Sequence, residues 1–222
     1  QKNYIYLKVN YFGGIMFVDR KSELAELEAL LRSGKPKLVL LYGRRRIGKS
    51  EIAKQFASKH AGIYFLARQE GQKDQLASLS DAIAEKFGDE ALKASPFQNY
   101  DAAFAYLGQR GIGGVPIVFD EFPYMVQSNP SLPSILQSHW DGGFQKTGAF
   151  FILCGSSIRM METLAGYKSP LYGRRTEQLL VRPLGFPDAT EFMAGTPIEE
   201  AIRHYSVLGG TPGYLQLFDY SK

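Results

Sequence analysis

The run Gly43-Arg44-Arg45-Arg46-Ile47-Gly48-Lys49-Ser50 crowds three arginines and a lysine between an apolar stretch and an amphipathic one. Its spacing fits G-x-x-x-x-G-K-[ST], a loop that cradles phosphates. The glycines permit a tight turn that points successive backbone N–H groups inward. The helix that follows offers its N-terminus to an anion. Lys49 can reach the β- and γ-phosphates, and the Ser50 hydroxyl can ligate magnesium. A triphosphate would supply the negative charge that this turn lacks. Ile47 is expected to face the core and anchor the loop. The candidate nucleotide-binding residues are therefore Gly43, Arg44, Arg45, Arg46, Ile47, Gly48, Lys49, Ser50 and Glu51. The three arginine side chains read as outward-pointing groups, free for solvent, a partner or another domain.

Three further stretches carry candidate chemistry. In "VPIVFDEFPYM" (115–125) four apolar residues run into Asp120-Glu121. An aspartate at a strand end beside the phosphate loop can hold magnesium, and the next glutamate can polarise a water. A glutamate in that place favours hydrolysis over phosphorylation of a small molecule. In "FFILCGSSIRMM" (150–161) a strand ends at Gly155. Ser156 or Ser157 can then touch the γ-phosphate or the attacking water, or a serine can serve as the N-cap of the helix that "IRMMETL" predicts. In "SPLYGRRTEQLLV" (169–181) Arg174 and Arg175 precede a strand. Arg175 is the candidate for stabilising transition-state charge, from within the chain or from a neighbouring subunit. Plain surface charge is the alternative.

These residues need a scaffold, and the apolar pattern predicts one. Residues 37–42, 62–67, 115–120, 149–154 and 177–181 read as five strands, apolar runs rather than strict alternation. Helical patterns lie between them: Leu24, Leu27, Leu30 and Leu31 on one face, then 48–59, 74–87, 101–110 and 132–146. Asp19 or Ser22 can cap the first helix, and Gly34 with Pro36 ends it. Strands alternating with helices predict an α/β fold with a parallel sheet covered on both faces. Beyond Pro183 short helices follow without a strand, giving a core over 16–184 and a helical lid over 185–222. Residues 1–15 read as an upstream extension, a vector-derived remnant or a genuine extra strand.

Bulk properties narrow the class. With 45% hydrophobic and 22% charged residues, the chain is ordinary globular material. No apolar run approaches the roughly 18 residues of a membrane span. The single cysteine, Cys154, excludes an internal disulfide and a cysteine-based zinc site. It reads as a buried core thiol in a reducing cytoplasm. The net charge of +4 is mild. Its distribution is not: Lys35 to Lys59 holds eight Lys or Arg against one acid, Glu51.

Taken in order, these stretches resemble the archaeal-type ATPase family. It is a P-loop branch placed with the signal-transducing ATPases with numerous domains, near the AAA+ proteins. "FVDRKSELAELEALL", "LYGRRRIGKS", "IVFDEFPYM", "ILCGSS" and "SPLYGRRT" all look like family signatures. The first resembles a motif that contacts the nucleotide base. "GGTPGYL" (209–215) resembles a glycine-x-proline element, which implies that Pro212 lies near the adenine. The resemblance implies a five-stranded parallel sheet in the order 5-1-4-3-2, ATP and Mg²⁺ as ligands, and a lid that this chain would carry in truncated form. Where related signalling ATPases carry an arginine two residues after the fourth strand's glycine, this chain has Ser157, with Arg159 beyond. The function expected is an ATP-hydrolysing switch domain, coupling nucleotide state to a protein partner or a C-terminal domain. The alternatives are an ATP-dependent DNA-handling ATPase and a non-hydrolysing nucleotide-binding scaffold. Oligomerisation fits either arrangement of Arg175, and no membrane is implied.

Overall fold

A computed structural model of the chain describes residues 10–12, 15–18 and 20–220. Two short strands, β1 (Asn10–Phe12) and β2 (Ile15–Phe17), pair antiparallel across the division placed at Met16. The five apolar runs form a second, all-parallel sheet. Its strands are β3 (Lys37–Tyr42), β4 (Ile63–Leu66), β5 (Pro116–Asp120), β6 (Phe150–Gly155) and β7 (Glu177–Leu180). They lie in the order β4-β5-β6-β3-β7. Numbered by chain order within that sheet, this is 2-3-4-1-5, the expected order read from the opposite edge. β5 and β6 are buried throughout, whereas edge strand β7 buries only Leu179. Continuous apolar sequence thus marks the strands that are covered on both faces.

The two-residue period of a strand sends neighbours to opposite layers. Leu38, Leu40, Phe119, Phe151 and Leu153 enter one core cluster. It is closed by α3 (Gln72–Phe87), α4 (Glu90–Ala94), α5 (Tyr100–Gln109), α6 (Phe122–Ser128), α7 (Leu132–Gly142) and α8 (Ile158–Ala165). Phe119 and Phe151 stack at its centre, 6.0 Å between ring centroids. Val39, Leu41, Val118, Ile152 and Cys154 enter the other cluster, beneath α1 (Lys21–Arg32) and α2 (Lys49–Lys59). The leucine face read from the sequence is the one that α1 turns inward: Leu27 is buried and Leu24, Leu30 and Leu31 pack beside it.

The start of α1 differs from expectation. Ser22 lies within the helix and gives its hydroxyl to Glu23, while Arg20 occupies the N-cap position with a left-handed backbone, φ 65°. Asp19 falls outside the described residues. α4 and α6 were not foreseen, because a helix of five or seven residues is too short to display a period.

After β7 the chain makes α9 (Phe186–Ala189), a 3₁₀ turn (Thr190–Met193), α10 (Ile198–Leu208) and α11 (Pro212–Leu215). Leu184, Ala189, Met193, Ala201 and Leu215 form a small cluster of their own. Among the described residues, no helix is long and apolar enough to cross a membrane.

Candidate active site

At the C-terminal edge of the parallel sheet lies a cavity of about 900 Å³. Gly48, Lys49, Ser50 and Glu51 line it from the β3–α2 turn. Glu121 and Ser156 line it from the ends of β5 and β6, and Pro212 and Gly213 from α11. Ligands of open α/β sheets bind outside the strands' carboxyl ends, where the strand order reverses. Here that crevice lies beside β3, whose neighbours β6 and β7 both follow it in sequence.

The β3–α2 turn is built as a phosphate cradle requires. Gly48 sits at the helix N-cap with φ 95°, a conformation that a side chain would strain. Ile47 is buried among Val181, Leu41 and the apolar face of α2, so it anchors the loop as expected. Lys49 is buried and donates from Nζ to the Arg44 carbonyl at 2.9 Å. Burial lowers its pKa, and the nearby Glu121 and Asp120 act against that shift.

The three arginines divide their work. Arg44 has an exposed side chain and offers its carbonyl to Lys49. Arg45 lines the cavity and leans on the Tyr124 hydroxyl at 3.4 Å. Arg46, with φ 63°, accepts the Gly213 N–H on its carbonyl at 3.1 Å and places its guanidinium 5.6 Å from the Tyr214 ring centre. A Cβ at position 213 would stand 2.7 Å from the Arg46 Cβ, so only glycine lets α11 approach the loop this closely.

Asp120 and Glu121 differ sharply despite being adjacent. Asp120 is fully buried. Its Oδ2 accepts from the Tyr64 hydroxyl at 2.6 Å and its Oδ1 from the Glu121 N–H at 2.9 Å. Burial, then the Asp120 charge, push the Tyr64 phenol up, so it stays a donor. Glu121 adopts a left-handed backbone, φ 51° and ψ 43°, which costs about 1 kcal/mol and turns its side chain out of the strand line. Glu121 Oε2 accepts from both the backbone N–H and the hydroxyl of Ser156, at 3.2 and 3.0 Å. Ser157 is the helix cap instead: its Oγ accepts from the Met160 N–H at 3.4 Å. The two serines therefore take up separate roles.

Ser50 and Asp120 are hard oxygen donors, the type that Mg²⁺ selects. Among the described residues no group of three or more His, Cys, Asp or Glu stands ready to hold a metal.

Arg174 and Arg175 are not brought to the cavity. Arg174 forks onto Asp141, with Nη2 at 2.7 Å from Oδ2. Arg175 donates to the Ala165 carbonyl at 2.9 Å and lies 5.6 Å from the Tyr172 ring centre. A contact from Arg175 to a phosphate within this chain is thus not assembled.

Two contributors escaped motif reading. Tyr64 sits in a run that reads simply as β-strand. Arg20 is buried beside the cavity and ties three segments together. It donates from Nη1 to Glu23 and to the Arg182 carbonyl, both at 2.9 Å, and from Nη2 to the Ile47 carbonyl at 2.8 Å. Its only sequence signal was membership of the stretch "FVDRKSEL".

Residues 17–218 match the model of an ATPase domain found predominantly in Archaea. The chain belongs to this family. An uncharacterized protein of Methanocaldococcus jannaschii is 36% identical over 207 residues, covering 90% of this chain and 44% of that protein. The chain thus spans less than half the length of that relative. An uncharacterized ATP-binding protein of the same organism is 49% identical over 57 residues, 24% of this chain and 97% of that protein. A Walker-type ATPase of Pyrococcus abyssi shares the fold, with TM-score 0.71, 23% identity, and 92% of this chain and 67% of that one covered. So does the ORC2 protein of Aeropyrum pernix in its ADPNP–ADP complexes, with TM-score 0.63, 16% identity, and coverage of 94% and 62%. In this ATPase domain Lys49, Ser50, Glu121, Ser156 and Pro212, singled out from the sequence, converge on one cavity. Asp120, the residue before Glu121, is fully buried and does not line the cavity.

Proposed function

We propose that this domain hydrolyses ATP with Mg²⁺ and uses the nucleotide state to reposition the 185–220 segment. The observation that carries the proposal is the placement of Glu121. Its carboxylate is held by Ser156 in the cavity that Lys49 and Ser50 line, one residue beyond the buried Asp120.

In this reading Lys49 exchanges the Arg44 carbonyl for the β- and γ-phosphates, and the N-terminus of α2 receives them. Ser50 and Asp120 would hold magnesium, which would offset charge on the phosphates. Ser156 fixes Glu121 Oε2 and leaves Oε1 to take a proton from the attacking water. The water oxygen bonds to the γ-phosphorus, the bridge to the β-phosphate breaks, and its electron pair leaves with ADP. Pro212 lies toward the adenine. Arg46 links the loop to α11 through the Gly213 N–H and the Tyr214 ring, a direct route from phosphate loop to lid. Arg175 enters the reaction only if it is delivered across a subunit boundary. A protein partner or further domain reads out the lid's position.

ATP turnover with magnesium, with and without DNA, tests the proposal beside Lys49→Ala and Glu121→Gln. Lys49→Ala is expected to lose tight ATP binding. Glu121→Gln is expected to bind ATP and lose turnover by roughly 10²–10⁴-fold. Full turnover in Glu121→Gln overturns the role of Glu121. Tight binding without turnover in the native chain turns the reading to a nucleotide-binding scaffold. Severalfold stimulation by DNA turns it to nucleic-acid handling, with the exposed Arg44 as a contact.

A further inference from the structure

The ATPase reading leaves the orientation of Asp120 unexplained, and the neighbouring strand supplies it. β4 and β5 run parallel with Tyr64 opposite Val118 and Leu66 opposite Asp120. Tyr64 and Leu66 are two residues apart and so share a face, which places Tyr64 diagonally across the ladder from Asp120. The 2.6 Å bond from its hydroxyl to Asp120 Oδ2 has the length of a strong O–H to carboxylate contact. The ring itself packs against the cluster under α1 and α2, so apolar contacts as well as the carboxylate hold it in place. With the Glu121 N–H on Oδ1, the carboxylate is gripped at both oxygens. Each oxygen keeps a second lone-pair site.

We infer that Tyr64 is a positioning residue of the metal site: its hydroxyl fixes the Asp120 carboxylate so that the remaining lone pairs receive the hydrated magnesium. The residue type matters. A lysine or arginine in this place would neutralise the buried carboxylate and compete with a divalent cation. A phenol satisfies one oxygen and leaves the negative charge in place. Groups that orient a metal ligand in this way typically change metal affinity by about 10–100-fold when removed. The inference rests on the ATPase reading of Asp120.

Tyr64→Phe removes the hydroxyl and keeps the ring that packs. The test is binding of a fluorescent, non-hydrolysable ATP analogue, measured in EDTA and across a magnesium titration. It is run on the native chain, Tyr64→Phe, Asp120→Asn and the double variant, with urea midpoints recorded for each. Magnesium is expected to tighten binding to the native chain, and Asp120→Asn to lose that response. Tyr64→Phe is expected to need about tenfold more magnesium for half the effect, with affinity in EDTA unchanged. In the Asp120→Asn background the same change should add nothing. A native magnesium midpoint in Tyr64→Phe overturns the inference and leaves the ATPase reading standing. So does an affinity loss of equal size in EDTA and in magnesium, which marks a packing role. A magnesium response that survives intact in Asp120→Asn removes Asp120 from the metal site, and Tyr64 with it.

Discussion

In β5 and β6 every residue is buried, whereas α10 buries only Ala201 and leaves Ile198, Ile202 and Val207 at 55%, 52% and 83% exposure. Glu121 and Ser156, to which the proposed chemistry assigns a role, stand at the ends of the first kind of element. The second kind is held by a few directed contacts, two within its own cluster and one to the core. Leu184 donates to the Gly210 carbonyl, the Tyr205 hydroxyl to the Leu184 carbonyl, and Gly213 to the Arg46 carbonyl. A site that must hold a carboxylate within tenths of an ångström belongs on a packed sheet. An element that must change position belongs at the low-stability end of the molecule. Under the proposed function, the sheet holds and the 185–220 segment moves.

The contrast can be broken at its stiff end first. Phe151→Ala empties the centre of the aromatic cluster and should lower global stability by about 3–5 kcal/mol in urea denaturation. Met193→Ala, in the lid's own cluster, should speed amide exchange over 185–215 and leave the urea midpoint of the core in place. A common shift of both would mean that the lid and core unfold together.

At the junction, Gly213→Ala forces α11 off the Arg46 backbone. It should cost about 1–3 kcal/mol of lid docking, read as lost exchange protection in α11 and weaker ATP binding. Tyr214→Ala removes only the ring beneath Arg46, worth about 0.5–1 kcal/mol. ATP affinity should fall about two- to fivefold. If Tyr214→Ala costs more than Gly213→Ala, the ring rather than the backbone carries the link.

The smallest effect is electrostatic and lies far from the site. Glu28 on α1 accepts from Lys59 at the end of α2 and pairs with His60 just after it, and the Lys59 bond, then the His60 bond, hold its carboxyl below the usual glutamate value. A depressed carboxylate stabilises the fold above its unfolded pKa of about 4.3, and that contribution fades as the pH falls below it. Glu28→Gln should therefore lower stability at pH 7 by less than about 1 kcal/mol. The difference should shrink as the pH is lowered from 7 through the unfolded value toward the lower folded one.

The fold was open to sequence reading because burial on both faces writes itself as unbroken apolar runs. The phosphate loop was open because its glycines and lysine have fixed spacing. Glu121 and Ser156 were found as strand-end residues, but their bond to each other joins β5 to β6 and no local pattern encodes it. Tyr64 is separated from Asp120 by 56 residues, and a tyrosine in a β-rich run looks like core. Arg174 and Arg175 lie in the segment between α8 and β7, where no period fixes which way a long side chain turns. Asp141 and Ala165 decided that.

Cys154 carries one more consequence. Burial, then the neighbouring Asp120, push its thiol well above the ordinary range, and it is fully buried in the cluster beneath α1 and α2. Such a thiol is inert to alkylating reagents while the sheet stays packed. As the chain's single cysteine, it is a native gauge of how often the strands beneath the nucleotide come apart. A ligand that binds only the closed sheet slows the labelling in proportion to its occupancy. Affinity can then be timed with a clock already in the chain, without attaching a dye or a tag.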